Sequence, residues 1–79
     1  MSDAQPIVDL PNNTVAHAGL TFIMRPLAED AFTVMLDGEP VGRVVYTFGA
    51  ANAVVESERV TEEVLTAVAE AWFAALDAA

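Results

Sequence analysis

Apolar and polar positions alternate through the middle of the chain and recur every three and four residues near its end. In residues 20–25, Leu20, Phe22 and Met24 share one side, and Thr21, Ile23 and Arg25 the other. This is the two-residue period of a β-strand. Pro26 ends that strand or marks an edge, and Leu27 to Asp30 form the connection. Residues 32–37 read as the next strand, with Phe32, Val34 and Leu36 on one face. Asp37-Gly38 lies between apolar runs and predicts a tight hairpin. The returning strand covers residues 41–48, with Val44, Tyr46 and Phe48 facing one way and Val41, Arg43, Val45 and Thr47 the other. Gly42 within it predicts a bulge or a close backbone approach. Gly49 closes this strand, and residues 53–56 form a further one after a short turn.

The period then changes. Val64, Leu65, Val68, Trp72, Ala75 and Leu76 form one apolar stripe of an α-helix running to about Asp77. Thr61 is its expected N-cap, and Glu62 and Glu63 occupy the first turn, where the helix dipole favours anions. Upstream of residue 14 the chain is punctuated by Pro6, Pro11, Asn12 and Asn13. Ile7 to Leu10 is the one candidate there for a short edge strand, and Thr14 to Ala18 adds another short extended piece.

The fold class expected from these parts is α+β: a small antiparallel β-sheet of three to five strands packed against one C-terminal α-helix. Residues 1–13 form a flexible N-terminal segment and residues 14–79 a single domain. Trp72 should anchor the helix against Phe22, Phe32 or Tyr46. The uncovered sheet face should carry Thr21, Ile23, Met35, Val41 and Val45 beside Arg25 and Arg43, which is rather apolar for a solvent face.

Charge changes the picture most. Among 79 residues the chain has twelve acids, three arginines and no lysine, for a net charge of −9. Direct nucleic-acid binding needs cationic side chains to neutralise phosphates, and anionic membranes attract the same groups, so both are disfavoured. A basic protein surface is the partner such a field attracts. Solubility or adaptation to a salty cytoplasm accounts for the same acidity. Cysteine is absent, which excludes disulfides and thiolate metal sites. No secretory leader and no apolar run of about 20 residues is evident, and a cytoplasmic location is expected.

Motifs for chemistry are sparse. His17 is the single histidine, Ser2 and Ser57 are the serines, and no nucleophile elbow surrounds either. No calcium-loop pattern or glycine-rich phosphate cradle is present. No catalytic residue, metal or cofactor is therefore expected. What remains is the acidic set Glu29, Asp30, Asp37, Glu39, Glu56, Glu58, Glu62, Glu63 and Glu70. Glu63, Glu70 and Asp77 recur every seven residues and share one helix face at intervals of roughly 10 Å. Such a surface is either a solvated polar face or an imitation of nucleic-acid phosphates that occupies a basic groove.

The profile as a whole resembles a known class. A small, lysine-free, acidic chain with a hairpin at Met35-Leu36-Asp37-Gly38-Glu39-Pro40-Val41-Gly42-Arg43-Val44 and a terminal helix over residues 64–76 is similar to the anti-CRISPR inhibitors of phages and prophages. Among these it most resembles inhibitors of type I systems, and in particular of type I-C. The likeness rests on size, charge and overall character, and it transfers no site residues because these inhibitors share no diagnostic motif. It implies a phage protein that acts in the host bacterial cytoplasm. There it would bind the Cascade surveillance complex, as such inhibitors often do at the PAM-reading subunit, and block target-DNA recognition as a DNA mimic. The alternative is a small non-catalytic interaction or oligomerisation module, a monomer or weak homodimer through the open sheet face, whose acidity serves solubility.

Overall fold

The structure, a computed structural model, describes residues 5–79; residues 1–4 of the expected N-terminal segment lie outside the described residues. Six strands form one antiparallel sheet in simple chain order: β1 (Ile7–Asp9), β2 (Thr14–His17), β3 (Leu20–Ala28), β4 (Ala31–Leu36), β5 (Glu39–Thr47) and β6 (Ala50–Val55). A 3-10 turn, Leu10–Asn12, joins β1 to β2, and the helix α1 spans Glu62–Ala78. The α+β class holds, but among the described residues the sheet has six strands rather than three to five. Ile7–Asp9 and Thr14–His17, short and flanked by turn residues, are full members: Ile7 pairs with Ala16 and Val15 with Phe22.

Each X–Gly pair at Ala18-Gly19, Asp37-Gly38 and Phe48-Gly49 makes a two-residue hairpin with both φ angles positive, the type I′ turn whose twist matches the flanking strands. The last of these corrects the sequence reading. Phe48 was expected within a strand beside Val44. Instead β5 stops at Thr47 and Phe48 sits at the turn with φ +50°, fully exposed. A bulky residue gains nothing sterically from this conformation, which glycine, asparagine and aspartate tolerate better. Phe48→Asn is therefore expected to stabilise the fold by about 1 kcal/mol, raising the thermal midpoint by roughly 4–8 °C. An unchanged or lower midpoint in a calorimetric scan would show that the ring contributes packing.

Pro26 lies inside β3, past the point where the strand was expected to end. It is tolerated because β2 pairs β3 only as far as Ile23, so the second half of β3 has β4 alone as a partner. Proline there removes no ladder hydrogen bond on the free side.

A second correction concerns Val41. In the β4–β5 ladder Val34 pairs with Gly42 and Met35 with Pro40, which leaves Val41 as an extra residue at a β-bulge. The bulge shifts the alternation by one, so Val41 and Val44 are both buried and Val41 does not belong to the open face. Gly42 makes the bulge possible. A Cβ at this position would collide with Leu65 and with the backbone oxygen of Val54, at 2.5 Å from the latter.

The helix begins as expected: Thr61 Oγ1 accepts a hydrogen bond from the Val64 amide at 3.2 Å. Its buried residues are Leu65, Val68, Ala69, Trp72 and Phe73. It packs chiefly on β6 and β5 yet also reaches β1 and β2, so the sheet curls around it and both edges meet the same helix. Trp72, 1% exposed, lies edge-on to Phe32 at 5.2 Å between ring centroids. Of the three expected anchors, Phe32 is the aromatic partner, while Phe22 is buried in the same core.

Candidate functional site

The expected acidic residues separate into two groups, one at the start of α1, which is about 25 Å long, and one spread from its midpoint at Glu70 to its end. The first group surrounds the helix start and the β4–β5 turn: Asp37, Glu39, Glu56, Glu58, Glu62 and Glu63. Here the charge is partly cancelled. Arg59 Nη2 donates to Asp37 Oδ2 at 2.6 Å, and Nη1 donates to Glu39 Oε1 at 3.0 Å and to the Leu36 carbonyl at 3.4 Å. Arg43 Nε lies 3.2 Å from Glu56 Oε2. The hydrogen bond to Asp37, reinforced by Glu39, raises the Arg59 pKa above the usual arginine value although some desolvation opposes it. Arg59 thus clamps the segment before the helix onto the hairpin tip. Three of the nine expected binding acids have this local partner, which suits a structural role for Asp37, Glu39 and Glu56.

The second group lies toward the end of the helix. Glu29 and Asp30 form the β3–β4 turn, and the Asp30 carbonyl accepts from the Tyr46 amide at 2.9 Å. That bond places the turn beside the β5 ring. Phe73, one helical residue beyond Trp72, packs at 5.4 Å from Tyr46 and at 5.9 Å from Phe32. Glu29, Asp30, Tyr46, Phe73, Leu76 and Asp77 together line a pocket of about 170 Å³. A wider depression on the other side of the Tyr46–Phe73 pair is lined in part by Glu70 and again by Asp77. Tyr46 is 40% and Leu76 38% exposed, so the floor is apolar and open. None of the arginines lines either depression, and among the described residues these carboxylates form no ion pair.

Sequence reasoning had Glu29, Asp30 and Glu70 as binding candidates but not the aromatic floor between them. A signal for Phe73 was present: Leu65, Ala69 and Phe73 repeat every four residues beside the stripe that ends in Trp72.

The open sheet face has a different character. Ladder pairing sets Arg25, Thr33, Arg43 and Val54 in one row, and Thr14, Ile23 and Met35 in the next. Ile23 and Val54 are exposed, and two of the three arginines sit here. Arg25 has no ion-pair partner among the described residues.

His17 ends β2, is half-buried and lines a shallow depression with Ala67, Glu70 and Ala71. Its Nδ1 has no hydrogen-bond partner among the described residues. Ser57 lies at the far end of the helix, where its Oγ accepts from the Arg59 amide at 3.1 Å. Histidine and this serine therefore do not meet. Among the described residues no cluster of three His, Asp or Glu side chains is arranged to hold a metal, and no helix is long and apolar enough to cross a membrane. Compared with protein-family models, with curated proteins and with solved structures, the chain has no significant match in any of the three.

Proposed function

We propose that this protein is a non-catalytic binding protein whose uncompensated acidic end engages a basic protein surface, as an inhibitor of nucleic-acid recognition would. One observation carries this reading. The arginines are placed against the acids at the helix start and on the open sheet face, while Glu29, Asp30, Glu70 and Asp77 gather around an open aromatic floor with no cation beside them. Glu58, Glu62 and Glu63 at the helix start are unpaired too, but the second group surrounds an aromatic pocket, and its charges keep their field for a partner and steer its approach. Following the resemblance in the sequence, the specific partner proposed is the type I-C Cascade complex, with its DNA-gripping surface occupied and the protein acting in the bacterial cytoplasm.

The test is capture of the protein by purified type I-C Cascade, followed by a target-DNA binding assay. Saturating protein should displace DNA, and the triple variant Glu29→Lys, Asp30→Lys, Glu70→Lys should weaken displacement by at least about a hundredfold, since close interfacial charge pairs couple at ~1.5–7 kcal/mol. Raising salt should weaken the wild type steeply. Full DNA binding by Cascade at saturating protein would overturn the assignment.

A second reading, a self-associating or scaffold module, is favoured by the open face, where Ile23 is 47% exposed beside Met35 and Arg25. It makes Met35→Asp the damaging substitution and the acidic triple variant harmless.

A further inference from the structure

We infer that the groove between Tyr46, Phe73 and Leu76 is a receptor for a single arginine side chain presented by the partner protein. This rests on the reading of the acidic end as a binding surface and adds to it the group that is bound.

Size limits which occupant the pocket itself seats, although the pocket is open and adjoins the wider depression across the Tyr46–Phe73 pair. At about 170 Å³ the pocket falls below the ~300–1,000 Å³ of small-molecule sites. It is close to the ~150 Å³ of a cavity that accepts benzene, so the end of one side chain fits. The lining restricts it further. A tilted pair of aromatic rings, Tyr46 and Phe73 at 38°, forms the floor, with Leu76 beside it. Glu29, Asp30 and Asp77 line the same pocket. A flat cation is the group that satisfies both: it lies over a ring face and directs its N–H groups at the carboxylates. Ammonium is more strongly hydrated and lacks the plane, so arginine is preferred to lysine.

The groove is also preorganised. The Asp30 carbonyl bonded to the Tyr46 amide fixes the turn against the strand, and Phe73 is held from beneath by Phe32. Nothing need close for a guanidinium to enter. The cations of the chain itself lie elsewhere: Arg43 and Arg59 are in ion pairs with Glu56, Asp37 and Glu39, and Arg25 sits on the open face of the sheet.

The experiment uses the whole protein and a small probe, so it does not depend on the identity of the partner. Capped arginine amide is titrated into isotopically labelled protein and followed by NMR, with capped lysine amide and capped citrulline amide as controls. Citrulline has nearly the shape of arginine without its charge. Arginine should move the signals of Tyr46, Phe73 and Asp77 together and saturate at roughly 1–30 mM, as a single exposed cation–aromatic contact with carboxylate help allows. Lysine should bind about threefold more weakly and citrulline at least about tenfold more weakly. Asp77→Asn and Tyr46→Ser should each weaken arginine binding about two- to fivefold. Asp77 is fully on the surface, so its variant keeps the fold even if loss of the Tyr46 ring does not.

Shifts that do not saturate, citrulline equal to arginine, or arginine binding unaffected by Asp77→Asn would each overturn the inference. Arginine binding without capture by Cascade would leave the groove standing and remove Cascade as partner. Capture of Cascade with no arginine binding would do the reverse.

Discussion

Alanine in place of Gly42 is expected to lower the thermal midpoint by roughly 10–25 °C, a loss of about 3 kcal/mol in a domain of this size. The added methyl meets two obstacles. The Leu65 methyl is the end of a flexible side chain and has room to rotate away. The Val54 carbonyl oxygen, 2.5 Å from the new Cβ, belongs to the backbone of the neighbouring strand and cannot move without opening the β5–β6 ladder. Gly42 needs no special backbone angle, so the penalty is steric, and the stiffer unfolded chain offsets only about 0.4–1 kcal/mol of it. Chemical denaturation of Gly42→Ala, with Val41→Ala as a comparison for simple loss of core volume, separates the effects. A Gly42→Ala protein within about 0.5 kcal/mol of wild type would mean that Gly42 does not approach the Val54 carbonyl this closely.

Trp72→Ala should be comparably severe, about 3–5 kcal/mol. The indole is the largest fully buried side chain and meets Phe32 edge-on. Its removal leaves a cavity where the curled sheet meets the helix. Native domains are stable by only about 0.05–0.15 kcal/mol per residue, so this loss brings the protein close to its unfolding threshold at 25 °C. Trp72→Phe is the informative partner substitution. It retains an aromatic contact with Phe32 and deletes the indole N–H, which is buried with no hydrogen-bond acceptor among the described residues. Removing an unsatisfied donor recovers about 1–3 kcal/mol against the lost volume, so Trp72→Phe should cost far less than Trp72→Ala in urea unfolding. Equal costs for the two would place Trp72 outside the core.

What could be read from the sequence was what local pattern encodes. The alternation in β3 and β4, the Asp37-Gly38 hairpin and the helix capped by Thr61 follow from period, turn chemistry and capping alone. The misses have equally definite causes. β1 and β2 were legible as short extended pieces, but they are too short for their periodicity to show that they join the same sheet, so the strand count came out low. Val41 was assigned to the wrong face because one bulged residue inverts every position on its far side, although Gly42 signalled the irregularity. Phe48 was taken as a strand residue because sequence preference argues against an aromatic ring at a left-handed turn.

The candidate site was legible only as ingredients. Glu29, Asp30 and Glu70 were among the proposed binding acids, but so were Asp37, Glu39 and Glu56, which the fold hands to Arg59 and Arg43. Which carboxylates keep a free charge depends on where arginines far away in sequence arrive. The groove itself requires β5, the β3–β4 turn and the helix at once.

The helix that closes the curled sheet is also synthesised after all six of the described strands. Each strand pairs with its neighbour in the chain, so hairpins form early and locally. The inner face of the sheet, with Phe22, Met24, Val34 and Val44, stays uncovered until α1 has been made. At ~5–20 residues per second the 17 residues of that helix take about 1–3 s to add. For that interval a nascent chain carries a sticky, half-finished sheet. A surplus of negative charge on every copy then acts before any partner is met, keeping neighbouring unfinished chains apart.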